Sequence, residues 1–261
     1  MPKILTLPDI VDKHCGTPAV IDCTGPSSNY NREKIDKIHR QDKIIKLVPN
    51  EWYNFPHETT PDYWVVSNPS LTVTSQLGLL NKWEVPFLWA SSLDGTSREF
   101  VEEKLEVDCL AYRQGGIGGD GSGADRGCPY DAFHRDDINE AKTIQEFLQA
   151  LALHTEHYST GITVASHMIA FALIMGCNPI YLSGMDLRYN EPGELNGYAQ
   201  TKEGVVLDRP GSTTWDRQRH VLLGDMKILN DTALAMNRKI INLNKNAWFN
   251  ELEKGDLDEW T

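Results

Sequence analysis

The 261-residue sequence has no C-x-x-C pair, no apolar run of bilayer length, and a shortage of positive charge. Its five cysteines, Cys15, Cys23, Cys109, Cys128 and Cys177, are scattered and odd in number, which supplies neither a zinc-site spacing nor a redox motif and makes a reducing cytoplasm the simplest compartment. The most apolar segment, Ile162 to Cys177, is interrupted by Thr163, Ser166 and His167. It falls short of the ~20 apolar residues of a membrane span and reads as a core helix. Before Pro8 only a short apolar stretch is present, too little for a signal-peptide core. With 25 Lys+Arg against 37 Asp+Glu the net charge is −12, which repels nucleic acid and anionic lipid over most of the surface. No internal repeat is visible. What remains, 40% hydrophobic and 24% charged residues, is ordinary globular composition and excludes a collagenous or wholly disordered chain.

Short apolar runs recur along the chain: Ala19–Cys23, Lys43–Val48, Tyr63–Ser67, Phe87–Ala90, Asp108–Tyr112, Ile180–Gly184 and Lys239–Asn242. They alternate with helical patterns at 32–40, from Ser70 to Trp83, from Ile162 to Met175 and from Trp215 to Asn237, which predicts an α/β fold on a mainly parallel sheet. Seven glycines between Gln114 and Gly127 exclude regular structure there. They include a formal G-x-G-x-x-G, but no helical pattern opens behind it, so it is no dinucleotide fingerprint. Residues 187–214 are polar, aperiodic and rich in Gly, Pro and Asn, the signature of a lid. The expected organisation is one Rossmann-like domain over 17–250, preceded by an N-terminal extension (1–16) and followed by an acidic tail (251–261).

In such sheets ligands bind beyond the carboxyl ends of the strands. Gly25, Pro26 and Ser27 follow the first strand and offer small residues with free N–H groups. Asn50 and Asn68 follow the next two with neutral amides. Each loop alone is equally ordinary turn chemistry, and their recurrence at successive strand ends raises the ligand reading. Ser159, Thr160 and Gly161 open the apolar helix, either as a bare N-cap or as a site for an anion. Asp186, two residues past Gly184, either accepts from a sugar or base or caps nearby amides. His220, early in the post-lid helix with Asp225 five residues on, is a surface histidine or a general base. His154 and His157 lack a third ligand and read as solvated, and so does Asp256-Leu257-Asp258 in the acidic tail. No metal site is expected.

The segment STGITVASHMIAFALIMGCNPIYLSGMDLRY, Ser159 to Tyr189, resembles one superfamily. It comprises the 6-hydroxymethylpterin diphosphokinase-like (MptE-like) domains, the motility-associated flagellin glycosyltransferases and the bacterial lipooligosaccharide sialyltransferases. Gly25-Pro26-Ser27, Asn50, Asn68-Pro69-Ser70-Leu71 and Tyr198-Ala199 are similar to the sialyltransferases in particular. That resemblance implies that Gly25, Pro26, Ser27, Asn50, Asn68, Ser159, Thr160, Gly161, Gly184 and Asp186 hold a CMP-activated sugar donor, such as that of a nonulosonic acid. It further implies that His220 is the general base, and that Tyr198 with Tyr189 or Arg188 contacts the leaving phosphate. The pattern departs from the family at Thr24, which replaces an asparagine, and at His157, which replaces an arginine. No tightly bound cofactor is implied, and the acceptor is a glycan or another hydroxyl compound. The alternatives are a diphosphokinase using ATP with Mg²⁺, or a nucleotide-binding module without turnover. Homo-oligomerisation is left open.

Overall fold

The computed structural model describes residues 4–50, 52–55, 57–66, 78–90, 104–112, 141–152, 163–186, 213–247 and 250–260. Among these residues nine strands form one sheet: β1 (Ile4–Leu5), β2 (Ala19–Asp22), β3 (Ile45–Pro49), β4 (Tyr63–Val66), β5 (Phe87–Ala90), β6 (Cys109–Tyr112), β7 (Ile180–Ser183), β8 (Ile240–Asn242) and β9 (Glu253–Lys254). Their order is β1-β6-β5-β4-β3-β2-β7-β8-β9, and all eight neighbouring pairs are parallel. The helices described among these residues include α1 (Ser28–His39), α2 (Ile144–Ala152), α3 (Val164–Ile174) and α4 (Thr213–Ala235). The expected α/β architecture with a parallel sheet is therefore present.

The strands are short apolar runs because both sheet faces are covered. In β2, Ala19 and Ile21 face a core shared with α2, α3 and α4, while Val20 faces a second core with Ile35 and Ile38 of α1. β7 alternates in the same way, Ile180 and Leu182 against Tyr181. Helix α3 lies in the middle of the first core, and every residue from Ala165 to Ile174 is buried, so its sequence carries no polar face. The turn after it contains Gly176 at φ +85°, and a Cβ there would stand 2.8 Å from the Cα of Cys15. Glycine is required on both counts. The segment it meets is tied on by His14 N–H to Met175 O (2.7 Å) and Gly16 N–H to Gly176 O (2.9 Å).

The structure departs from the sequence expectation at both chain ends. Residues 4–5 form an outer strand against β6, and Leu7 and Ile10 are buried in the main core. Residues 253–254 form the opposite outer strand, and Leu252 and Leu257 are buried. Leu257, between the two aspartates expected to be solvated, enters the α1-side core, while Asp258 pairs with Lys34. Tyr181 donates its hydroxyl hydrogen bond to Glu259, and Trp260 Nε1 donates to the Tyr181 oxygen at 2.7 Å. Burial of apolar side chains thus overrides the acidic composition that suggested a tail. Helix α1 starts four residues earlier than the periodicity predicts, and α4 two residues earlier, so 213–214 belong to the helix and not to a lid. The glycine-rich segment 114–127 and the remainder of the expected lid, 187–212, lie outside the described residues.

Candidate functional site

The strand order reverses between β2 and β7: β3 to β6 extend to one side of β2, and β8 and β9 to the far side of β7. A crevice at the carboxyl edge follows from such a reversal. Helices α3 and α4 each lead by a short turn into a parallel strand, β7 and β8, so their first turns lie at that same edge. The sequence therefore brings several regions to one place: the ends of β2, β7 and β8, and the starts of α3 and α4.

The loops after β2 and β7 lie directly against each other. Cys23 N–H donates to Ser183 O at 2.8 Å, Gly25 N–H to Gly184 O at 3.0 Å, and Ser27 N–H to Asp186 Oδ2 at 2.9 Å. A Cβ on Gly25 would stand 2.3 Å from Gly184 O, and one on Gly184, at φ +66°, would stand 2.3 Å from Cys23 O. Both glycines are consequences of this close approach. Gly25→Ala is expected to force the loops apart and lower unfolding stability by about 1–3 kcal/mol, the usual range for overpacking, as read by urea denaturation; an unchanged midpoint would contradict the contact. The N–H groups expected to be free after β2 are in fact used within the chain: besides Gly25 and Ser27, Ser28 N–H donates to Gly25 O and Asn29 N–H to Pro26 O. The Ser27 hydroxyl, buried and without a partner among the described residues, is the group this loop keeps in reserve.

Asp186 is buried and both of its oxygens are engaged, Oδ2 by Ser27 N–H and Oδ1 by Asn244 Nδ2 at 2.6 Å. Of the two readings open for it, capping of nearby amides is what the geometry displays. Asn50 follows β3, next to β2, with φ +31°, a region asparagine tolerates. Its N–H donates to Val65 O and its carbonyl accepts from Trp64 Nε1 at 2.8 Å, which fixes the backbone on both sides.

A buried charged network missed by sequence reasoning lies under these loops. Asp22 Oδ2 accepts from Trp52 Nε1 at 2.7 Å, and the Lys46 ammonium stands 4.4 Å from the centre of the Trp52 ring. Lys46 Nζ bonds Asp36 Oδ1 at 2.6 Å and Thr59 Oγ1 at 3.1 Å, and Asp36 Oδ2 accepts from Glu58 N–H at 3.1 Å. Arg32 donates to Ser28 Oγ (2.8 Å) and Asn29 Oδ1 (3.0 Å) and covers the Phe55 ring. Burial pushes the Asp22 carboxyl above its ordinary range, and the opposing pull of Lys46, the Trp52 hydrogen bond and Arg32 does not cancel it. Burial also pushes the Asp36 carboxyl up, but the Lys46 charge and the hydrogen bonds from Lys46, Glu58 and Thr59 outweigh it, so Asp36 is held below the usual carboxylate range. Two signals in the sequence mark the network: a lysine between Ile45 and Leu47 inside an apolar strand, and Arg32 with Asp36 one turn apart on the face of α1 that packs inward.

Helix α3 starts at Val164 with Thr163 as N-cap, its Oγ1 accepting from Ser166 N–H at 3.2 Å. The first-turn N–H groups of this helix are those of Val164, Ala165 and Ser166. Ser166 Oγ donates to Asp225 Oδ2 at 3.3 Å, both residues fully buried, which ties α3 to α4. His220 lies in the second turn of α4; five residues along a helix is a rotation of about 140°, so His220 and Asp225 do not share a face. Asn68, Ser159, Thr160, Gly161, Arg188, Tyr189 and Tyr198, with His154 and His157, lie outside the described residues, as does the side chain of His220. Among the described residues no group of three His, Cys, Asp or Glu side chains could hold a metal ion, and no helix is long and apolar enough to cross a membrane.

Two solved structures are similar to this one. The sialyltransferase CstII from Campylobacter jejuni, in complex with the substrate analogue CMP-3FNeuAc, is 15% identical over 90% of this chain and 86% of that chain, with a TM-score of 0.48. An asparagine-to-alanine variant of the sialyltransferase CST-II in complex with CMP is 13% identical over 90% and 85%, with a TM-score of 0.49. No family model matches the sequence, and no curated protein matches it.

Proposed function

We propose that the crevice between the ends of β2 and β7 binds the nucleotide of a CMP-activated sugar, and that the protein is a sialyltransferase-like glycosyltransferase. The observation that carries the reading is the Ser27 N–H to Asp186 hydrogen bond. It joins Gly25-Pro26-Ser27 and Gly184-Met185-Asp186, two motifs of the resemblance far apart in sequence, at the point where the strand order reverses. Asn50 and Asn68 would supply neutral hydrogen bonds to the base or ribose, and the Ser27 hydroxyl one further contact. In the transfer the bond between the anomeric carbon and the phosphate oxygen breaks and CMP leaves. The acceptor oxygen forms the new bond to that carbon, and its proton passes to His220. Tyr198, with Tyr189 or Arg188, would stabilise the charge on the departing phosphate. The acceptor is a glycan or another hydroxyl compound.

A thermal-shift series with CMP, UMP and ATP plus Mg²⁺ tests the base. At 100 times its Kd, a bound nucleotide stabilises the folded protein by roughly 2.7 kcal/mol, a readily measured rise in melting temperature. Preference for CMP is the expected result. Preference for ATP with Mg²⁺ would move the assignment to a diphosphokinase, and no shift with any nucleotide would remove the nucleotide site.

A further inference from the structure

The loop after β8 carries no sequence signal of a site, yet it reaches the centre of this one. Asn244 Nδ2 donates to Asp186 Oδ1 at 2.6 Å, while Asn244 Oδ1 accepts from Asn246 N–H at 2.9 Å. A backbone N–H can only donate, so the oxygen of the Asn244 amide must face Asn246 and its NH₂ must face Asp186. The loop itself is held by Asn244 N–H donating to Asn242 Oδ1 at 2.9 Å. Asp186 passes the constraint on: its other oxygen accepts Ser27 N–H, and that oxygen lies 2.6 Å from where a Gly25 Cβ would be. One carboxylate therefore clasps the loops after β2, β7 and β8.

We propose that Asn244 is a positioning residue of this site, and that Asp186 acts through it and through Ser27 to set the Gly25–Ser28 loop, not by touching the nucleotide with its charge. The inference rests on the nucleotide reading above and assigns Asp186 a different part within it. The clasp requires one amide and one carboxylate but not a particular order. In the exchanged pair, Asp186→Asn offers an amide oxygen to Ser27 N–H and an NH₂ to the carboxylate that Asn244→Asp provides.

The experiment has two readouts. The first is amide hydrogen exchange at Ser27 without ligand. Asn244→Ala is expected to speed it by about tenfold, the value of one ordinary hydrogen bond to a charged group or slightly less. Unchanged exchange overturns the clasp whether or not any nucleotide binds. The second is CMP affinity by calorimetry. Asn244→Asp sets two carboxylates against each other and is expected to weaken binding by about tenfold or more, while the exchanged pair Asp186→Asn with Asn244→Asp recovers affinity to within about threefold. If Asp186 touches the ligand by its charge, the exchanged pair stays as weak as Asp186→Asn alone, and the inference is overturned. Should the parent protein bind no nucleotide, the functional reading fails while the exchange rates still judge the clasp.

Discussion

His220→Ala is expected to lower the rate of sugar transfer by ~10²–10⁴-fold, the usual worth of a general base. CMP affinity should be nearly unchanged, because the proposed partner of the imidazole is the acceptor hydroxyl and not the nucleotide. The motivation is positional: α4 leads by a short turn into the parallel strand β8, so its first turns stand at the carboxyl edge where Gly25 and Gly184 meet. Asp225 would not be the group that orients the base, since it is turned away around the helix and is bonded to Ser166. Single-turnover transfer from a CMP-activated donor, measured beside calorimetric CMP binding, separates the two effects. Parental turnover in the variant would end the assignment of His220; loss of CMP binding with it would make the residue part of the nucleotide pocket.

Lys46→Met carries the largest expected loss of stability. Lys46 and Asp36 are fully or almost fully buried and 2.6 Å apart, so the substitution leaves a carboxylate in the core with only Thr59 and the Glu58 amide for partners. Breaking a buried pair in this way costs about 3–5 kcal/mol, whereas replacing both partners by apolar groups is often neutral. The double variant Asp36→Leu with Lys46→Met should therefore recover most of the loss. The pH dependence has a definite sign. In the parent, Asp36 is held low, so its contribution is present above the ordinary carboxylate range and fades as the pH falls through the lowered value. In Lys46→Met the burial that pushes the carboxyl up is no longer countered by the ammonium. The deficit is then greatest at neutral pH and shrinks on acidification as Asp36 takes up a proton. Urea unfolding at about pH 7 and about pH 5 measures both; a single-variant loss below about 1 kcal/mol at neutral pH, or a deficit that grows on acidification, contradicts this account.

The parallel sheet was legible because its strands are buried on both faces. Ala19–Ile21, Tyr63–Val66 and Ile180–Leu182 read as apolar runs with polar residues or glycine soon after them, and the strand limits agree within one or two residues. The carboxyl edge as the place to look for a site was legible for the same reason, since all the strands run parallel and end at that edge. Less visible was how the loops use their groups. Gly25 and Ser27 suggested open N–H groups, and only the approach of Gly184 and Asp186, more than 150 residues away in sequence, shows where those N–H groups go. Nothing in the sequence singles out Asn244, because its partner Asp186 lies 58 residues away. Lys46, Asp36, Asp22 and Arg32 were absorbed into strands and a helix, as charge pairing and hydrogen bonding across 10 to 30 residues leave no periodicity to read. At the chain ends composition misled: two short outer strands and buried Leu7, Ile10, Leu252 and Leu257 are too sparse to stand out among prolines and acids.

The order of the sheet also sets a timetable for synthesis. β2 is central, yet one of its two neighbours, β7, pairs Ile180 with Ala19, a separation of about 160 residues. At ~5–20 residues per second, a ribosome needs roughly 8–32 s after making β2 before it has made β7. During that interval β2 to β6 can assemble with one another, but the β7-facing edge of β2 and the face that α3 later covers remain open. Conditions that slow translation between residues 67 and 180 are expected to lengthen the exposure of that open edge to aggregation.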